Sequence, residues 1–104
     1  RCIYLCNKFE SLLKLDRLID AEAILTSAVS AYETTPPKDI QNKNNASKAL
    51  ADQFNNLGLY HFNRQAFEPA LECFNTALKY IPENEHDLRC TYLCNKFHLS
   101  LKIL

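Results

Sequence analysis

Apolar residues recur at helical spacing in two stretches at the centre of the chain, separated by the polar segment 63–65. The first stretch contains Phe54, Leu57, Leu59, Tyr60 and Phe62, and the second contains Phe67, Ala70, Leu71, Phe74, Ala77, Leu78 and Ile81. Side chains three and four residues apart lie on one face of a helix. The pattern therefore predicts two antiparallel helices joined by a short turn.

Prolines and the single glycine fit this helix pair. Pro69 falls in the first turn of the second helix, where its missing N–H costs little, and Pro82 is expected to end that helix. Gly58 is expected opposite Ala70, where small residues let two helix backbones approach closely. We therefore predict a closely packed pair that ends before Pro82.

A nine-residue phrase occurs twice, as RCIYLCNKF at residues 1–9 and as RCTYLCNKF at residues 89–97. Such repetition is typical of repeat proteins, and the distance between the copies leaves room for one further unit. The first copy predicts helices near Cys2 to Leu15 and near Arg17 to Tyr32. The second copy predicts a helix from about His86 to Leu104.

Residues 34–45 are polar, include two prolines and show no apolar period, which predicts a loop with Asn45 as the cap of the next helix. The chain is thus divided into a degenerate repeat at 1–33, the loop at 34–45, a clear repeat at 46–84 and the first helix of a further repeat at 85–104. We expect an all-α domain fragment of a longer protein.

The order of large and small residues in the clear repeat matches a known signature. The matching residues are Phe54, Leu57, Gly58, Phe67, Ala70, Phe74, Ala77, Leu78 and Pro82. They resemble the tetratricopeptide repeat (TPR) family, with departures at His61, where an aromatic residue is usual, and at Gln65, where glycine is common. The long loop and the phrase at 54–58 are also similar to extended repeats of kinesin light chains and Pins-type polarity scaffolds.

The TPR resemblance implies antiparallel helix–turn–helix units stacked as an α-solenoid, about two and a half units here. It also implies that the first helix of each unit lines a concave groove. If the repeats are taken to start at Cys2, Ala51 and Cys90, the sixth position of each is asparagine, namely Asn7, Asn56 and Asn95. An amide can bind a peptide backbone through its donor and its acceptor, although the three residues can equally be solvated helix positions. Further groove candidates are Ile3, Cys6, Glu10, Asp52, Asn55, Leu59, Asn63, Thr91, Cys94 and His98.

Charge and side-chain chemistry narrow the function. The 12 basic and 12 acidic residues give zero net charge, so binding of nucleic acid has no electrostatic basis. The three histidines lack metal-ligand spacing, and no serine or cysteine shows the base that a nucleophile needs. We therefore expect no enzyme activity, no metal and no cofactor.

The favoured function is a scaffold that binds a protein or peptide partner in the groove. One alternative is an accessory repeat region of a larger enzyme or transport complex. Another is self-association, because the last helix carries the apolar residues Leu99, Leu101, Ile103 and Leu104. Binding of RNA is less favoured, because a chain with zero net charge has no general attraction for its phosphates.

Cysteine usage and hydropathy bear on the compartment. Five cysteines, an odd number, with no apolar leader before them favour a reduced, intracellular and cytoplasmic setting. The pairs Cys2/Cys6 and Cys90/Cys94 could supply four thiolates to zinc, but their helices are expected two units apart. We therefore predict that these four thiols are structural and are buried or half-buried, and that Cys73 belongs to the core. No apolar run is long enough to cross a bilayer.

Overall fold

The computed structural model describes residues 2–36 and 40–103, which form five α-helices and no strand. The helices are α1 Cys2–Lys14, α2 Leu18–Glu33, α3 Ile40–Asn63, α4 Phe67–Tyr80 and α5 His86–Ile103. The predicted all-α class is confirmed, and the predicted bounds of α1, α2 and α5 agree to within one residue. Predictions at residues 37–39 and at Leu104 lie outside the described part of the chain.

Helix α3 occupies the centre of the arrangement. It packs against α1, α2, α4 and α5, while α1 also packs on α2 and α4 on α5. The molecule measures 43 × 31 × 16 Å. The shortest dimension fits two helix layers, because packed axes lie about 8–10 Å apart and each helix has a Cα radius of about 2.3 Å. Helix α3 lies between α1 and α5, which have no close backbone contact with each other.

The turns after α1 and after α3 share one backbone geometry. Asp16 and Gln65 have left-handed φ angles of 61° and 63°. In each turn the N–H of the next residue donates to the carbonyl five residues earlier, at 3.0 and 2.9 Å. This combination is the Schellman ending of a helix, and it reverses the chain within three residues. The short turn predicted at 63–65 is therefore present one residue later, at 64–66.

Replacing Gln65 with glycine should stabilise the fold. A side chain in the left-handed region costs about 1 kcal/mol, because Cβ approaches the following carbonyl oxygen. Gln65 is exposed, so little packing is lost. We expect the free energy of unfolding to rise by about 0.5–1 kcal/mol in urea denaturation. Gln65→Ala retains Cβ and should give no such gain, and a less stable Gln65→Gly variant would contradict the strain argument.

Helix α3 begins earlier than the sequence predicts. Residues 40–45 are helical rather than loop, and Asn45 lies inside α3 instead of capping it. Lys43 accounts for the difference, because its Nζ donates to the carbonyls of Tyr32 at 2.7 Å and of Thr35 at 3.1 Å. The same Nζ lies 4.2 Å from the centre of the Tyr32 ring. Contacts with the end of α2 thus hold a helical turn that has no apolar period of its own.

Gly58 makes room for an aromatic ring rather than for Ala70. A Cβ at position 58 would lie 2.5 Å from Cε1 of Phe74, far inside van der Waals contact. Phe74 is fully buried and packs with Ala70 and Leu99. The expected close approach at Gly58 exists, but the partner is the ring from the next turn of α4.

Burial in α5 differs from the expectation for self-association. Leu99 of α5 is fully buried against α4. The prediction that it is an apolar residue left for self-association is therefore wrong. Leu101 and Ile103 remain exposed. Tyr92 is the other buried anchor of α5, and it packs against Ala77 of α4.

The two copies of the repeated phrase bury opposite faces. In α1 the buried residues are Cys2, Leu5, Cys6 and Phe9, whereas their counterparts in α5, Cys90, Leu93, Cys94 and Phe97, are exposed. The tyrosines show the reverse, since Tyr4 is 66% exposed and Tyr92 only 1%.

The helices that pack against each copy explain this inversion. Helix α1 is covered by α2 and α3, which follow it, whereas α5 is covered by α3 and α4, which precede it. The prediction of buried thiols is therefore confirmed for the two cysteines of α1 and for Cys73, and it is wrong for Cys90 and Cys94.

Candidate functional site

A cleft of about 280 Å³ lies between the C-terminal halves of α1 and α3. It is lined by Glu10, Leu13, Lys14, Asn56, Leu59, Tyr60 and Asn63. Leu13 and Leu59 give it an apolar centre, and the other residues form a polar rim. We name it the α1–α3 cleft.

A second cleft of about 240 Å³ lies between α3 and α5, with α4 as its floor. It is lined by Leu59, Phe62, Phe74, Asn95, His98 and Lys102. Leu59 belongs to both clefts and is 37% exposed, so it forms a ridge between them. The two adjoining clefts are together named the groove.

The size of the clefts limits what they can hold. Sites that enclose a small molecule or cofactor usually measure about 300–1,000 Å³ and are largely closed, whereas these clefts are smaller and open to solvent. Each can accept one or two side chains of a partner. Within residues 2–36 and 40–103, no three His, Cys, Asp or Glu side chains are grouped so that they could hold a metal ion.

Six of the predicted groove candidates line the two clefts, namely Glu10, Asn56, Leu59, Asn63, Asn95 and His98. Asp52 and Asn55 line neither cleft, because both are used in the contact between α3 and α5. The hydroxyl of Tyr92 donates to Asp52 Oδ1. Asn55 is buried and its Oδ1 accepts a hydrogen bond from Asn95 Nδ2 at 2.9 Å. These two residues hold α5 against α3 through their hydrogen bonds.

The three asparagines at the sixth positions do not converge on one surface. Asn7 is exposed on α1 and lines neither cleft. Asn56 Nδ2 donates to Gln53 Oε1 at 3.1 Å, one turn earlier on the same helix. Asn56 and Asn95 lie on opposite sides of the Leu59 ridge, one in each cleft. The expected continuous ladder is therefore reduced to two residues.

Tyr60 lies at the edge of the α1–α3 cleft, where the turn between α1 and α2 holds its side chain. Its hydroxyl donates to Asp16 Oδ1, and the Arg64 guanidinium lies 2.5 Å from the same oxygen. The hydrogen bond from Tyr60 lowers the pKa of Asp16, and the positive charge of Arg64 lowers it further. The same hydrogen bond raises the pKa of Tyr60. This three-residue contact ties the α1–α2 turn to the end of α3 and fixes that edge of the cleft.

Several groove residues were not identified from the sequence, namely Leu13, Lys14, Tyr60, Phe62, Phe74 and Lys102. The apolar spacing predicts Phe62 and Phe74 to be core residues, because both fall on the faces that the two helices turn towards each other. The sequence does contain a signal for Lys14 and Lys102. When the alignment of the two copies of the phrase is continued beyond residue 9, these two lysines occupy equivalent positions. Each cleft thus has one lysine at its rim.

A larger depression of about 410 Å³ lies on α2 and has a different origin. The lining comes from α2 and its C-cap residue alone, namely Thr26, Ser27, Ser30, Ala31 and Thr34. The hydroxyls of Thr26 and Ser27 donate to carbonyls of the preceding turn at 3.1 and 3.3 Å. Because no second element shapes this surface, the groove is the stronger candidate.

Comparisons with protein-family models, with curated proteins and with solved structures gave no match for this chain. No helix in the described segments combines the length and the apolar character needed to cross a lipid bilayer. The chemistry of the groove side chains is therefore the basis for a functional proposal.

Proposed function

We propose that this chain is a TPR-like repeat module that binds a peptide or protein segment across the groove. The observation that carries the proposal is the pair of adjoining clefts joined at Leu59, which fits two neighbouring side chains of one ligand. The packing of α3 between α1 and α5 and the identical turns at Asp16 and Gln65 support a solenoid of about two and a half units.

The groove chemistry indicates the character of the segment. An apolar side chain fits each cleft, over Leu13 in one and over Phe62 in the other. Asn56 and Asn95 each use one N–H within the chain, and the amide oxygen and the second N–H of each can bind the ligand backbone whatever its sequence. Lys102 favours an acidic residue beside the anchor in the second cleft, whereas Glu10 offsets the charge of Lys14 in the α1–α3 cleft. We therefore expect a segment with two apolar anchors and an acidic residue beside one of them.

Placing an aspartate at the ridge should abolish this binding. Leu59→Asp puts a charge between the two apolar clefts, where a bound segment would desolvate it. Peptides enriched on the wild-type chain from a displayed random library supply the probes, and fluorescence anisotropy measures their affinity. We expect at least a tenfold loss, which corresponds to about 1.4 kcal/mol.

Ile19→Asp is the matched control, because Ile19 is 84% exposed on α2 and lies outside both clefts. Its affinity for the enriched peptides should equal that of the wild-type chain, and far-UV circular dichroism should show that both variants are folded. Peptides that bind Leu59→Asp as tightly as the wild type, or an enrichment that yields no acidic apolar sequences, would rule the groove proposal out.

A further inference from the structure

A third cleft, of about 260 Å³, lies between α2 and α4, which have no close backbone contact with each other. Helix α3 contributes the remaining part of its lining, and none of its lining residues belongs to the groove. Each of these three helices has both the preceding and the following helix of the chain packed against it. The cleft is therefore not the uncovered face of a terminal helix. We name it the α2–α4 cleft.

The apolar part of this lining is held in place by the core. It consists of Leu25 and Val29 of α2 and Phe54 and Leu57 of α3. Leu25 and Leu57 are buried in the largest core cluster. The ring of Phe54 is stacked on Tyr80, with the ring centres 5.8 Å apart. Such a surface can cover the methylene groups of a long polar side chain without rearranging.

The polar part of the lining consists of two matched helical turns. Helix α2 contributes Glu22 and Thr26, and α4 contributes Glu72 and Thr76, so that each threonine follows its glutamate by four residues. In both turns the threonine hydroxyl donates to the backbone carbonyl of the glutamate, at 3.1 Å in α2 and 2.8 Å in α4. The hydroxyl protons are thus used within the helices, and the oxygens remain as acceptors. A ligand in the cleft therefore meets hydrogen-bond acceptors on both walls.

The two carboxylates keep their charge for a ligand. Within residues 2–36 and 40–103, neither Glu22 nor Glu72 takes part in an ion pair. Cys73, which also lines the cleft, lies close to both of them. Burial raises the pKa of the Cys73 thiol to about 12, and the charges of the two glutamates contribute to that rise. Two negative charges from facing helices therefore act on the same point in the cleft.

The helices on either side of the cleft are acidic as a whole. They contain five acidic residues, namely Asp20, Glu22, Glu33, Glu68 and Glu72, and one basic residue, Lys79. Lys79 does not line the cleft, and its Nζ lies 5.8 Å from the centre of the Tyr80 ring. Because α1, α3 and α5 contain seven basic and three acidic residues, the zero net charge of the chain hides a separation of charge between its helices. The surface around the α2–α4 cleft favours a positively charged partner.

We propose that the α2–α4 cleft binds an arginine side chain of a basic segment in a partner protein. A guanidinium has five N–H donors and no acceptor, and its planar shape lets it donate to acceptors on both walls at once. The methylene groups of arginine would cover the apolar part of the lining. The site is separate from the groove, and the proposal does not depend on the groove function.

The first test is an NMR titration of the ¹⁵N-labelled chain with acetyl-Ala-Arg-Ala-amide, up to about 20 mM because one side chain in an open cleft binds weakly. Citrulline in place of arginine keeps the shape and removes the charge, and lysine keeps the charge with fewer donors. We expect saturable shifts of the amide signals of Glu22, Thr26, Glu72 and Thr76 with the arginine peptide. The lysine peptide should bind at least about threefold more weakly, and the citrulline peptide should not saturate.

The second test uses variants that remove one charge and keep the shape. Glu22→Gln and Glu72→Gln change exposed side chains, so both variants should fold, as far-UV circular dichroism would show. Each should weaken binding of the arginine peptide by about threefold and the double variant by about tenfold, because an exposed ion pair contributes modestly. Glu33→Gln is the matched control, since it makes the same change on α2 outside the cleft and should bind like the wild type.

Four outcomes would overturn the proposal. Equal affinity for the arginine and citrulline peptides would mean that charge does not select the ligand, and equal affinity for the lysine peptide would remove the assignment to arginine. Wild-type affinity in the double glutamine variant would place the site elsewhere, as would the lack of saturable shifts in the cleft. Leu59→Asp should bind the arginine peptide like the wild type, so failure of the groove proposal can be told from failure of this one.

Discussion

Replacing Phe9 with alanine should lower the free energy of unfolding by about 3–5 kcal/mol. Phe9 is fully buried in the cluster that joins α1, α2 and α3, so truncation removes apolar contacts and leaves a cavity. The whole stability of a domain is typically about 5–15 kcal/mol, so the variant should be close to unfolding. Urea denaturation followed by far-UV circular dichroism gives the measurement.

Phe97→Ala is the matched control for this prediction, because it changes the same residue within an almost identical phrase. Phe97 is 63% exposed, and its truncation should change stability by no more than about 0.5 kcal/mol. Low micromolar protein keeps any association out of the comparison. Equal losses for the two variants would contradict the inverted burial of the two copies.

Gly58→Ala should destabilise the fold, even though alanine is the better helix former. The added methyl group would lie 2.5 Å from Cε1 of Phe74, whose ring is fully buried and cannot swing into solvent. Overpacking of this kind costs about 1–3 kcal/mol, and the higher helix propensity of alanine returns about 1 kcal/mol. We expect a net loss of up to about 2 kcal/mol in thermal or urea unfolding.

The role of the ring can be separated from that of the backbone with a second variant. Phe74→Leu removes the ring atoms nearest to position 58, at its own cost in packing. In that background Gly58→Ala should be neutral or stabilising, because only the propensity effect remains. A stabilising Gly58→Ala in the wild-type chain would mean that the helices move apart readily at this point.

Local sequence signals were sufficient for the helices and for the central turn. The spacing from Phe54 to Ile81 marked two helices and the break at 63–65, because each signal lies within a few residues of the feature that it predicts. The start of α3 was missed for the opposite reason. Lys43 stabilises the first turn through carbonyls near the end of α2, a contact that no local pattern encodes.

The groove could be predicted only in part. The positions of Asn56, Leu59, Asn95 and His98 follow from their place on the first helices. Asn55 was misplaced because it is adjacent in sequence to Asn56, yet a step of about 100° around the helix turns it towards α5. Phe74 was missed because a core residue can also form the floor of a cleft.

The sequence by itself determined that this chain is helical, where most helices begin and end, and which residues are apolar. Tertiary structure alone decided which apolar face of each helix is covered. The phrase shared by residues 1–9 and 89–97 shows why: its two copies differ in sequence at one position, yet one buries Phe9 and the other exposes Phe97. A helix can carry two apolar faces, and which face is buried depends on whether the helices that pack against it follow it or precede it in the chain.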